Sequence, residues 1–202
     1  MYILHLINAG GIMMYPLIFC SIAVIAIFIE RVKYYKKSES NIAYLIKNIE
    51  ESGNIKGNKT LKFILEKDGG IPAQIILEGI NSTNRASSQE KIIEGAAIHA
   101  IGKLKEYITY LDVIVTLSPL MGLLGTVVGM IGSFNVLSVV SGQPFAVTSG
   151  VAEALVCTAT GLGVAIMALL AYTYLTARVN KLILDIEKIS TVYLTMIEGE
   201  SE

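Results

Sequence analysis

The chain has 202 residues, 53% of them hydrophobic, with a formal net charge of −1 and four prolines. That balance is too apolar for a typical soluble domain and far from the composition of a disordered chain, so a membrane class follows. The two cysteines, Cys20 and Cys157, both lie inside apolar segments, which argues against a disulfide framework or a zinc site and for small side chains packed between helices.

The first apolar run extends from about Met14 to Ile29, after a short segment containing Gly10 and Gly11, and is followed by Glu30, Arg31, Lys33, Lys36 and Lys37. With Ile12 and Met13 it approaches the roughly 20 residues needed to cross a bilayer. A secretory signal would carry its positive charges before the apolar run; here they come after it. The order places the N-terminus outside and the basic end in the cytoplasm.

Residues 31–109 read as a cytoplasmic helical region. Ile42, Leu45, Ile46 and Ile49 recur at helical spacing, as do Leu61, Ile64 and Leu65. Three loops interrupt them: Gly53, Asn54, Gly57 and Asn58; Asp68, Gly69 and Gly70; and Asn81 to Ser88. Ser87 with Glu90 has the spacing of a capping box, opening a helix through Ile92, Ile93, Ala96, Ala97, Leu104, Ile108 and Leu111 into the second span. One continuous helix of some fifty residues is expected from that pattern.

Between Glu106 and Arg178 there is no lysine or arginine. Two long apolar runs fill this stretch, about 110–140 and 145–176, separated by a turn at 141–144 with Ser141, Gly142, Gln143 and Pro144. Each is long enough to span with tilt. All 16 basic residues fall within 31–105 or 178–188, so both of those regions read as cytoplasmic and the turn as external. Val179, Leu182, Ile183, Ile186 and Ile189 prolong the third span as a C-terminal cytoplasmic helix, 177–202, whose apolar stripe neighbouring subunits would cover. The expectation is an all-α integral membrane protein. It has three transmembrane helices, at 14–30, 110–140 and 145–176, with the N-terminus (1–13) out and the C-terminus in. Its long helices extend into a cytoplasmic bundle.

Gly122, Gly125, Gly129 and Gly132 share a face of the second span, the mark of a close-packing seam in lipid. Thr126 lies beside it. Ser118 and Pro119 precede it, where a proline frees a backbone carbonyl and permits a kink. In the third span Ala154, Thr158, Gly161 and Ala165 form a small-residue face, and Glu153, Cys157 and Thr160 an adjoining polar strip. An acid at mid-membrane costs about 2.5–3.5 kcal/mol on insertion scales, so Glu153 requires an explanation. From the residues alone two readings stay open. Thr126 and Thr158 either solvate a pore or back-bond to carbonyls of their own helices. Glu153 either trades protons within a pathway or reaches up to headgroup water, since it lies only some two turns into its span. His5 and His99 have no ligand-like neighbours and read as surface or packing residues; no metal or cofactor is called for.

Ser118 to Phe134 reads S-P-L-M-G-L-L-G-T-V-V-G-M-I-G-S-F, and Gly150 to Ala165 reads G-V-A-E-A-L-V-C-T-A-T-G-L-G-V-A. Both resemble the signature spans of the MotA/TolQ/ExbB proton channel family. Three spans rather than four, and the opening helix from Pro16 to the Glu30-Arg31 pair, are similar to its ExbB/TolQ-like branch. The resemblance implies an inner-membrane energiser: a homopentamer around a dimer of a single-span ExbD-like or TolR-like partner that supplies the proton-carrying aspartate. Proton flow would move one ring against the other, and a TonB-like or TolA-like protein would transmit the work. It also implies that Thr126, Glu153 and Thr158 line the pore. Met167 stands where many relatives have proline, and Thr173 follows Tyr172 where they have asparagine, so a straighter third helix is expected.

Two other classes compete. A self-sufficient ion channel or transporter would need its own proton carriers at mid-membrane, where Glu153 stands alone, and no transporter-type repeat is visible. A passive membrane scaffold would tolerate loss of all three polar residues. An enzyme is disfavoured, because the chain has no phosphate loop, no metal-spaced His or Cys and no nucleophile beside a base.

Overall fold

The computed structural model describes residues 11–52, 58–81, 86–139 and 144–199, and of these the backbone alone at 86–88, 135–139, 144–149 and 199. Among the described residues every regular element is a helix. In chain order these are α1 (Met14–Ser38), α2 (Ile42–Glu51), α3 (Lys59–Asp68), α4 (Ile71–Asn81), α5 (Ala86–Lys105), α6 (Ile108–Val139) and α7 (Pro144–Gly199). Three helical stretches, Met14–Glu51, Gln89–Phe134 and Gly150–Glu198, contain segments long and apolar enough to cross a membrane. They correspond to the three expected spans.

The chain divides into two compact units. One joins Met1–Glu30 to Tyr107–Tyr174 and holds the most apolar parts of α1, α6 and α7; the other joins Arg31–Glu106 to Leu175–Glu202.

The second unit is amphipathic, and its short helices begin and end where local chemistry dictates. Asn41 caps α2 by accepting from the Tyr44 amide at 3.2 Å. Asn58 caps α3 by accepting from Thr60 and Leu61 at 3.0 and 3.1 Å, satisfying two otherwise orphaned donors. Gly69 ends α3 in the left-handed region at φ +68°, where a side chain would be strained. The loop expected at Asp68–Gly70 is therefore present, while Gly53, Asn54 and Gly57 lie outside the described residues. Leu45, Ile49, Leu61 and Leu65 are buried, as their spacing requires. The periodicity reading does not single out α4, whose eleven residues begin Ile71-Pro72 and bury Ala73, Ile75, Ile76 and Gly79. Proline suits the first turn of a helix, so Pro72 does not interrupt it.

The expected continuous helix through residue 107 is broken. α5 stops at Lys105, Tyr107 takes a positive φ of 65°, and α6 starts at Ile108. The carbonyls released at the end of α5 find donors on α1: Arg31 Nη1 donates to Lys103 O at 2.9 Å and Tyr35 Oη to Leu104 O at 2.9 Å. Arg31 also reaches Glu106 at 3.6 Å and lies over the Tyr34 ring. Apolar periodicity runs straight through this point and carries no sign of a cap built from residues 70 positions away. The capping box read at Ser87 is displaced, because α5 already begins at Ala86 and Ser87 lies within its first turn; the Ser87 side chain is outside the described ones.

The C-terminal stripe also departs from expectation. Val179, Leu182, Ile186, Ile189, Tyr193 and Ile197 are each at most 3% exposed within the single chain, so their cover comes from this unit rather than from neighbouring subunits. Ile183 is half-buried.

α7 runs uninterrupted for 56 residues from Pro144, which was expected in the preceding turn. Proline at a first helical position gives up no hydrogen bond, so the helix begins there readily. The absence of proline at Met167 agrees with the unbroken course.

Candidate functional site

The apolar unit is held by an antiparallel seam between α6 and α7. Along it Gly129 meets Gly150 and Ala154, Gly125 meets Cys157, Gly122 meets Thr158, and Gly161 meets Ser118 and Gly122. The approach is backbone to backbone. A methyl group on Gly161 would lie 2.6 Å from the Ser118 carbonyl oxygen and 3.0 Å from Gly122 Cα, and one on Gly122 would lie 3.1 Å from Thr158 Cα. Gly125 has room only because it lacks a side chain facing Cys157 Sγ.

Gly132 does not take part, since a methyl there would meet nothing within 4 Å. Seven residues turn to within about 20° of two full turns, so Gly132 lies nearly in line with Gly125; what it lacks is a facing neighbour, because at this end Ser133 is the residue that meets Gly150. Cys157 also leaves the polar strip assigned to it. It is 1% exposed and belongs to the packing face with Ala154, Val164, Ala165 and Ala168.

The three polar residues sit differently. Thr158 Oγ1 donates across the seam to Gly122 O at 2.9 Å. Thr126 Oγ1 donates to Leu123 O of its own helix at 2.6 Å, and Thr160 Oγ1 to Val156 O at 2.9 Å. Of the two back-bonding readings, one therefore holds for Thr126, while Thr158 joins two helices. A hydroxyl that has spent its proton on a carbonyl still offers lone pairs as acceptors. Pro119 lies inside α6, half-buried, one residue after the fully buried Ser118.

Glu153 is half-buried and faces the start of α1, its Oε1 against Gly11, which has φ +65°. Met13 reaches Gly125 from the same side. Five residues separate Glu153 from Thr158, roughly 140° around the axis, so the two point to opposite flanks of α7. The flank bearing Thr158 is the one away from α1. On α6, Thr126 is also turned away from the side that meets Met13, so Thr126 and Thr158 share one flank of the helix pair and Glu153 occupies the other. Along the axis, Thr126 lies about 6 Å beyond Gly122 and Glu153 about 7.5 Å beyond Thr158 in the same direction, placing Thr126 and Glu153 at one level.

Three apolar helices, two of them packed through glycines with hydroxyls and acids on their flanks, define a multi-span membrane protein with polar groups along an otherwise apolar pair. The comparisons with known proteins narrow this. The model of the MotA/TolQ/ExbB proton channel family matches residues 68–188, and the chain belongs to that family, in its ExbB/TolQ-like branch. An ExbB-like biopolymer transport protein of Synechocystis sp. is 32% identical over 80% of this chain and 79% of its own length. An ExbB homologue of Methanothermobacter thermautotrophicus is 28% identical over 94% of this chain and 67% of its own. The Tol-Pal system protein TolQ of Pseudomonas aeruginosa is 36% identical over 59% of this chain and 48% of its own. The protein is thus an inner-membrane protein of a family of proton channel subunits that energise membrane complexes.

Proposed function

We propose that this chain is the channel-forming motor subunit of an ExbB-ExbD-TonB-like or TolQ-TolR-TolA-like complex, which uses the proton motive force to drive work at the outer membrane, such as import of scarce nutrients. The N-terminus lies outside and the C-terminus inside, because every basic residue falls in the segments this orientation leaves in the cytoplasm. Copies of the chain assemble as a homopentamer. Their α6 and α7 surround a dimer of a single-span partner, whose intramembrane aspartate carries the proton.

The observation that carries this reading is the shared flank of Thr126 and Thr158. It is a hydroxyl-bearing side of a helix pair whose glycine seam leaves no room for anything between its members. Both hydroxyl oxygens retain acceptor capacity, so they hydrogen-bond a protonated partner carboxyl and hold water beside an ionised one. Glu153, at the level of Thr126 but beside α1, acts as an accessory acid near the external end, supplying protons rather than carrying them through.

The test is proton flux into liposomes, read with an entrapped pH dye. The chain alone should be silent, and the chain with an ExbD-like or TolR-like partner should conduct. Equal flux with and without the partner would show a self-sufficient channel. Undiminished flux in the Thr126→Ala, Glu153→Ala and Thr158→Ala complexes would leave only a scaffold.

A further inference from the structure

Asp112 is a second acid in the stretch that lacks lysine and arginine, in the second turn of α6, and nothing in the family signature draws attention to it. Its position on the helix does. The buried residues of α6, Leu111, Ile114, Ser118, Gly122 and Gly125, define the side turned to α7 and α1. Asp112 is exposed, and the fourteen residues between it and Thr126 make nearly four full turns, so the two lie within about 40° of each other. Thr116 lies on the same strip; its hydroxyl is occupied by Val113 O at 3.0 Å. Asp112 therefore stands on the flank of Thr126 and Thr158, the one away from α1, about 15 Å from the Gly122–Thr158 level and on the opposite side of it from Glu153. Together Glu153 and Asp112 bracket about 22 Å of the roughly 30 Å hydrocarbon thickness. Asp112 makes no ion pair among the described residues, so its carboxylate is not committed to holding the fold.

We infer that Asp112 is the exit carboxylate of the pathway, taking the proton from pore water at the cytoplasmic end and releasing it to bulk. A hydronium ion protonates one Oδ and leaves as water, and the resulting acid then passes its proton to a water on the cytoplasmic side, restoring the carboxylate. An acid at this depth persists where a water-filled mouth solvates it, and the pore end supplies that mouth in the assembled complex. The role rests on the proposed pore position of the α6–α7 flank.

The experiment compares complexes of the full chain with its single-span partner in liposomes, selecting those that co-purify in unchanged ratio. Asp112→Asn should lower flux roughly tenfold, less than the ~10²–10⁴-fold of a primary proton relay, because water remains an alternative acceptor; Asp112→Glu should retain flux. Asp112→Cys should also be slow. A thiosulfonate reagent that adds a carboxylate, applied on the cytoplasmic side, should restore it, and reagents that add a sulfonate or an ammonium should not. A merely structural or electrostatic residue would not distinguish a carboxylate from a sulfonate. Full flux in Asp112→Asn complexes, under conditions where Thr126→Ala abolishes it, would overturn the exit role and leave the pore standing. Full flux in both would overturn the pore as well.

Discussion

The two units solve the same packing problem with opposite side chains. In the unit that joins Met1–Glu30 to Tyr107–Tyr174, α6 and α7 meet through Gly, Ala, Ser and Cys, and although Leu17 and Leu111 are buried, many large apolar side chains such as Leu120, Ile131 and Leu170 point outward. In the other, Leu45, Ile49, Leu61, Ile76, Ile189 and Tyr193 are fully buried. Where water is the solvent, burying large apolar groups drives association; where lipid is, it gains nothing, and close backbone approach does the work. The amphipathic unit should therefore be sensitive to lost bulk and the apolar one to added bulk.

The largest expected effect is in the amphipathic unit, where Ile76→Ala should cost about 2–5 kcal/mol in unfolding from detergent, through lost transfer energy and a residual cavity. Next is Gly161→Ala, which should cost about 1–3 kcal/mol, because the added methyl meets backbone atoms of α6 that have nowhere to go. Its measurable signature is a lower unfolding temperature together with weaker cross-linking between cysteines placed on α6 and α7. Thr158→Val, nearly isosteric, removes only the bond to Gly122 O and should cost about 0.5–1 kcal/mol by the same unfolding assay. A larger loss would mean that the hydroxyl bond, rather than the glycine packing, holds the pair. Smallest is Gly132→Ala, which should be neutral or stabilising by up to ~1 kcal/mol, since the position is open and alanine is the better helix former. Clear destabilisation there would show that a further contact covers this end of α6 in the assembled protein.

Much of this was readable in the chain itself. Asn58 and Gly69 fall in the loops expected from the sequence, because a helix end depends on residues within one turn, whereas the cap at Asn41 appears only in the structure. The pairing of Leu45 with Ile49, and of Leu61 with Leu65, follows from spacing because those helices have one wet face. The break at Tyr107 was not readable, since the donors that end α5 are Arg31 and Tyr35, 72 and 69 residues from the carbonyls they satisfy. Asp112 could have been found by counting fourteen residues back from Thr126.

By itself the amino-acid order determined the three apolar spans, the basic segments flanking them, the glycine-rich seam and the family signature, all of which depend on composition or short-range spacing. Tertiary structure alone decided which way each membrane residue faces and what it meets: Cys157 into the seam, Gly132 with no facing neighbour, Glu153 toward Gly11, and Thr158 across to Gly122. The reason is physical. A helix in lipid is apolar all round, so its hydropathy records that it is in the membrane but carries almost no information about rotation, which only the contact between two backbones supplies.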